Sequence, residues 1–321
     1  MKPLMPLLAL LSALTAAPAR SEDPTWFEVE VLVFSRPDNS GEIWDADRRP
    51  VKLGNSRDLL GPVMMPDLSQ FQAALAECDA SEWLLDPQGC ESRQQLTPSF
   101  PDRLPVQAAA ETAGDPLAGD PFLLTAEQLE FGDARRQIGA KGGHQILLHT
   151  GWQMPVYGRR QAQPFHLYGG RNFGERFDAE GHLHPPEDDL LSQFDFFTGF
   201  SPSSGAQADP VWELNGWLRI YLDHFLFIET RLDLRQEGKR VWKTESLEQD
   251  PDALTADVAV EEEAEPFLLT IPLEQNRRVR SREIHYFDHP QLGLVVQIRR
   301  MTQPEAVAPE AEVTPQATLN P

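Results

Sequence analysis

The chain is short of positive charge and of cysteine, and beyond its first residues it has no long apolar run. Its 28 lysines and arginines face 50 aspartates and glutamates, a formal net charge of −22. Such a deficit argues against nucleic acid as a partner, because that affinity comes from neutralised phosphates. Any anionic partner has to meet a local basic patch. There are two cysteines, Cys78 and Cys90, spaced far wider than the Cys-x-x-Cys of redox-active pairs. Past residue 19 no apolar stretch approaches the ~20 residues of a membrane helix. Nucleophile motifs are missing too. There is no Gly-x-Ser-x-Gly and no Ser-x-x-Lys, and "SPSSG" (Ser201 to Gly205) has no nearby base. Carboxylates abound, but no two are marked out as acid and base, and no internal repeat is visible.

What is there begins with "MKPLMPLLALLSALTAAPA". Lys2, an apolar run from Leu7 to Leu14 and Ala17-Pro18-Ala19 have the layout of a cleavable secretory signal over residues 1–19. A retained N-terminal anchor is the alternative. No cysteine follows the cleavage site to carry a lipid. Removal of Lys2 takes the charge from −22 to −23. The expected mature chain, 20–321, is long enough for one large domain or two small ones. In an oxidising compartment Cys78 and Cys90 are expected to join. A bridge closing so short a loop contributes ~3 kcal/mol in the chain-entropy account.

"WFEVEVLVF" (Trp26 to Phe34) alternates, with Phe27, Val29, Val31 and Val33 on one side and Glu28 and Glu30 on the other. It reads as a half-buried strand. From about 36 to 120 the pattern dissolves into a proline-rich insertion. "LSQFQAALAEC" could form a helix there, and the segment could pack as a lobe of its own. Thr125 with Gln128 reads as a capping box opening a short helix through Leu129, Ala134 and Ile138, which Gly142-Gly143 would end. "HQILLHTGW" follows as a strand. "WELNGWLRIYLDHFLFIETRLDLRQEGKRVWK" reads as an antiparallel meander with turns at Asp223-His224 and Glu237-Gly238. "EQDPDALTADVAVEEEAE" reads as an acidic loop, "PFLLTIPLEQ" as a short strand, and 303–321 as a disordered tail. The sum is an α+β fold: one domain over 20–302, a mostly antiparallel sheet with one or two packed helices and a long irregular insertion.

"REIHYFDHPQLGLVVQIRR" (Arg282 to Arg300) is the densest stretch. His285 and His289 stand four apart, a metal spacing on a helix. Pro290 disfavours a helix there, and in a strand the two lie ~13 Å apart. The stretch therefore reads as a hairpin edge, with no metal or cofactor. Arg277, Arg278, Arg280, Arg282, Arg299 and Arg300 fall within 24 residues, against only Glu283 and Asp288, a local balance of +4. Arginine pairs bidentately with carboxylates. Arg278, Arg280 and Arg282, with His285 and Tyr286, are candidate ligand-binding residues. The alternative is that the arginines pair with the protein's own acids, such as Glu261 to Glu265. Tyr168 and Arg171 in "HLYGGRNFGERF" are weaker candidates for contact with sugar or peptide. That segment lacks the spacing of a P-loop or a dinucleotide fingerprint.

Taken together, "WFEVEVLVF" after the signal, "HQILLHTGWQMPV", "ELNGWLRIYLDHFLFIETRLDL" and "RRVRSREIHYFDHPQLGLVVQIRR" resemble the CsiV family of periplasmic peptidoglycan-binding proteins. The resemblance implies a non-enzymatic periplasmic protein that associates with the cell wall. It also implies support of a class A penicillin-binding protein through that enzyme's outer-membrane lipoprotein activator. No binding residues carry over with it. Two rivals stay open: an envelope adaptor that pairs a sheet edge with a partner strand, and a wall hydrolase, for which the sequence offers no constellation.

Overall fold

A computed structural model of the chain describes residues 24–37, 41, 48–65, 84–88, 100–184, 209–248 and 257–304; within 242–248 and 257–263 it describes the backbone alone. The expected signal over 1–19, the helix in "LSQFQAALAEC", Cys78, Cys90 and the tail from residue 305 lie outside the described residues.

The fold is α+β and mostly antiparallel, built from two sheets. The first has the order β2-β4-β1-β10-β9: Gln107–Ala108, Gln145–Val156, Thr25–Ser35, Leu292–Arg300 and Ile284–Asp288. A short strand β3 (Phe122–Leu123) also pairs with β4, antiparallel, whereas β2 runs parallel to β4. The second sheet is a meander, β5-β6-β7-β8: Phe165–Asn172, Trp212–Asp223, Phe225–Glu248 and Asp257–Val279. Apolar residues at alternate positions of both sheets meet in one core. Val29, Val31 and Val33 of β1 and Leu294, Val296 and Ile298 of β10 face Leu214, Leu218, Ile228, Leu232 and Ile271 of the second sheet.

The strand alternation places the elements, but β1 is not half-buried. It is flanked by β4 and β10, its inner face lies on the second sheet, and its outer face lies under the 128–131 loop and helix α2 (Gly132–Gly139). Leu32, Phe34 and Ile146 pack there with Phe131, and Ala134 and Ile138 of α2 lean on them. Glu30, expected on the solvent side, is 0% exposed. The capping box at Thr125 and Gln128 forms, yet it caps a single 3-10 turn, Ala126–Gln128, and α2 starts afterwards.

Other expectations change as well. The chain does not turn at Glu237-Gly238: Gly238 pairs with Phe267, and the β7–β8 ladder runs on to Glu248 and Asp257. The acidic stretch from 257 is therefore strand backbone, because a partner strand satisfies its amides and carbonyls. "PFLLTIPLEQ" is the middle of that same strand. Within 36–120, Leu60 and Met64 beside the short helix α1 (Gly61–Met64), Leu104 and Ala108 are buried in the main core, while 84–88 are exposed. Gln303 is also tied down. Its side chain accepts from Trp26 N at 2.7 Å and donates to Trp26 O at 3.1 Å, joining both ends of the described chain.

One glycine is required by close approach. Gly216, in the middle of β6, has φ +154°, and a Cβ there would sit 2.2 Å from the Arg231 carbonyl oxygen of β7. Gly216→Ala should strain the centre of the meander and cost more than ~2 kcal/mol, at the top of the range for ordinary substitutions. Urea unfolding measures this; a midpoint equal to that of the wild type would contradict it.

Candidate functional site

The arginine-rich run is contiguous in sequence but divided in space. Arg277 and Arg278 lie on β8 of the second sheet, Arg282 in the 280–283 crossover, and Arg299 and Arg300 on β10 of the first sheet. Arg282 takes φ +70° and its N–H donates to Ile298 O at 2.7 Å, so it does not share a strand face with Ile284 and Tyr286. Arg277 turns inward at the seam between the sheets, where it donates to Tyr286 O at 2.9 Å and covers the Phe287 ring. Arg299 is buried beneath the 128–131 loop and bonds Glu28 and Glu30. Internal pairing thus accounts for Arg299, with Glu28 and Glu30 of β1 and Glu130 of the loop as partners.

The other candidates separate likewise. His285 is held at its own turn, Nε2 lying 2.9 Å from Arg280 O. His289 lies beyond the end of β9, apart from it. Tyr286 is 40% exposed and stacks in parallel on Phe34 at 6.3 Å. Partial burial, then its hydrogen bond to Asp288, push its hydroxyl up to about 12. Tyr168 is 1% exposed and donates to Asp58 at 3.1 Å, which removes it from any contact surface. Arg171 is exposed near Glu237, with its guanidinium over Phe173. Arg280 lies 3.6 Å from Glu283. With Arg300, His224 and Phe225 it lines a groove of about 740 Å³ at the open end of the sandwich.

Beside that groove lies a surface the run of arginines did not reveal. Position-two alternation sends one side chain in two of β6, β7 and β8 away from the core. Antiparallel register aligns them in rows: Tyr221, Phe227 and Arg278; Arg219, Glu229 and Asn276; His166, Trp217, Arg231 and Glu274. Tyr221 and Phe227 stack at 5.2 Å with an interplanar angle of 7°. Arg219 and Arg231 flank the Trp217 ring at 5.8 and 5.5 Å. Arg159 and Arg219 cover Tyr221, and both approach Glu229, which fixes their positions. Arg278 lies over Phe225 at 3.7 Å, and Phe225 is 49% exposed. Among the described residues Arg231, Arg278 and Arg282 have no carboxylate partner.

Chemically, this face offers flat rings with charged donors beside them. Aromatic faces carry negative π density that attracts polarised C–H bonds and cations. Unpaired guanidiniums present planar forks to carboxylates. Burial pulls the His166 pKa below the ordinary imidazole value, outweighing the bond to Asn215 and the nearby Asp58, which raise it. Nothing here is arranged as nucleophile and base. Among the described residues no group of three His, Cys, Asp or Glu could hold a metal ion, and no helix is long and apolar enough to cross a membrane. The signal that could have found this face is Trp217, Phe225 and Phe227 occurring on the solvent phase of a strand pattern.

The chain matches the model of a family described as "Peptidoglycan-binding protein, CsiV" over residues 4–301. It therefore belongs to the CsiV family. No curated protein and no solved structure matches it.

Proposed function

We propose that this protein is a periplasmic, non-enzymatic accessory factor of cell-wall synthesis that grips peptidoglycan on the outward face of its second sheet. The observation that carries the reading is the cross-strand array of Trp217, Phe227 and Phe225 interleaved with Arg231, Arg219 and Arg278. Sugar rings present C–H-rich faces that lie flat on such aromatics. The peptides borne on the glycan carry carboxylates that the arginines can take. The acidic remainder of the chain limits indiscriminate adhesion to an anionic wall. Weak contacts repeated along a polymer sum to useful retention. Family membership supports the ligand, and the secretory layout of 1–19 supports the compartment.

The proposed partners, a class A penicillin-binding protein and its outer-membrane lipoprotein activator, come from the family resemblance. The rival adaptor reading would use an open sheet edge. At β9 that edge is obstructed, since Arg277 and Gln275 of β8 occupy the carbonyls of Tyr286 and Asp288.

Co-sedimentation of the mature chain, Arg20 to Pro321, with purified sacculi across a salt series tests the reading. Retention should fall as salt rises, because exposed charges are screened beyond ~10 Å at 0.1 M. Arg278→Ala, Arg280→Ala and Arg282→Ala combined should weaken low-salt retention by roughly 3- to 10-fold, at under ~1 kcal/mol per exposed arginine. Absence of low-salt retention in the wild type would refute wall binding. Unchanged retention in the triple variant would remove this arginine rim from it.

A further inference from the structure

Further along β7 and β8, Arg240 and Phe267, on the inward phase of the two strands, border a cleft of about 720 Å³. One wall is the 48–52 segment, clipped down where Val51 N donates to Asp233 at 2.6 Å and Arg48 pairs with Glu274. The other is the 178–182 loop. Leu268 N donates to Gly181 O at 2.9 Å, and Arg235 donates to Ala179 O. Gly181 has φ +103°, and a Cβ on it would meet the Leu268 carbonyl oxygen at 2.5 Å, so the loop lies directly on the strand.

These clips set the side chains around the opening. Asp178 accepts from Gly181 N and His182 N at 2.7 and 2.8 Å and lies 3.3 Å from His182 Nδ1. The His182 ring meets Phe267 edge-on at 5.4 Å. Arg240 donates to His182 Nε2 at 3.3 Å and lies over Phe267 at 5.5 Å. With Nε2 accepting, the imidazole proton sits on Nδ1, facing Asp178. Arg49 and Lys52 are exposed on the opposite wall. Arg49 and Lys52 stand beside one carboxylate of the lining, Glu180, while Arg48 is held by Glu274 and Arg240 lies against His182 and Phe267. Pro50, Val51, Ala179 and Phe267 supply the apolar lining.

We propose that this cleft is a second binding site, taking the carboxylate-bearing ends of short peptides carried on the glycan. The proposal rests on the wall-binding reading above. Arg49 and Lys52 are the anion-facing groups, and the apolar lining takes small side chains such as the methyl groups of alanine. Phosphate would satisfy the charges but would leave Phe267, Pro50 and Val51 without a contact. Sugar rings on the Trp217 face and their peptides in the cleft would then be read along one sheet.

The test is calorimetric titration of the mature chain with three probes: soluble stem peptides cut from the wall, glycan chains stripped of peptide, and inorganic phosphate. Arg49→Ala with Lys52→Ala should lower stem-peptide affinity at least tenfold and leave glycan affinity and sacculus retention through the aromatic face largely intact. Both residues are exposed, so thermal unfolding should be unchanged and serves as the folding control. Phosphate should bind more weakly than peptide. Equal peptide affinity in the double variant, or phosphate binding as tight as peptide, overturns the proposal. So does a wild type that holds sacculi yet ignores free stem peptide, while the wall-binding reading survives. A wild type that binds neither sacculi nor any fragment removes both.

Discussion

Glu30→Ala is expected to lower the unfolding free energy of the domain by ~3–5 kcal/mol, the scale for removing one partner from a buried ion pair. Glu30 is wholly buried on the outer face of the first sheet. Its Oε1 accepts from Phe131 N at 2.7 Å and faces His149 Nε2 at 2.9 Å. Its Oε2 accepts from Glu130 N at 2.9 Å and from Arg299 Nη1 at 2.6 Å. One carboxylate thus joins three strands to the 128–131 loop, and alanine would leave two backbone N–H groups without an acceptor. Arg299 would keep only the Glu28 and Glu130 carboxylates, at 3.2 and 3.4 Å. Urea unfolding at neutral pH reads the loss. Asp133→Ala, which breaks an exposed pair with Arg136, should change little and is the control. A Glu30→Ala loss no larger than that of the control would mean the network contributes no stability.

The same carboxylate makes a pH signature. Burial pushes the Glu30 pKa up, but the bonds from His149, the two amides and Arg299 outweigh burial and hold it below 4.5. A depressed folded-state pKa adds stability that is present above the unfolded value and lost as pH falls through the folded one. Wild-type stability should therefore decline on acidification below about pH 4.5, and the Glu30→Ala variant should decline less steeply over that window.

Trp217→Ala combined with Phe227→Ala is expected to cut retention on sacculi by roughly 10- to 100-fold, as for the loss of two aromatic anchors at ~0.7–1.4 kcal/mol each. The two rings lie two rows apart on the outward face, Trp217 next to Arg231 and Phe227 stacked on Tyr221. Their outward direction means that truncation removes ligand contact with little damage to the core. Thermal unfolding within a few degrees of the wild type would establish that point. Since the rings act by contact and not by charge, the loss should persist at high salt, unlike that of the triple arginine variant. Arg136→Ala on α2, against the opposite sheet, should leave retention unaltered. Retention within about twofold of the wild type for the double aromatic variant would exclude this face as the binding surface.

How the strands were legible, and the site was not, follows from the range of the interactions that decide each. Alternation in Trp26 to Phe34, in Trp212 to Leu234 and in Leu292 to Arg300 is local information, and it located β1, β6, β7 and β10 and the hairpin before Arg300. The local signals erred where a partner strand overruled them. Glu237-Gly238 resembles a turn, yet Gly238 is paired with Phe267. Glu30 occupies a solvent-phase position in the strand pattern, yet the 128–131 loop closes over it.

The sequence by itself determined the class of fold, the deficit of positive charge, the lack of a recognisable catalytic constellation and, through its ordered motifs, the family. The tertiary structure alone decided which charged groups meet. Arg278 and Arg299 are 21 positions apart in one basic run, but the 280–283 crossover sends β8 and β10 into different sheets. One arginine then lies on an exposed aromatic face, and the other is locked to a buried glutamate. Trp217 and Arg231 are distant along the chain but face each other because antiparallel pairing folds β7 back on β6. Proximity across a sheet is set by register and by which faces find a second layer, and both depend on contacts between residues far apart in the chain.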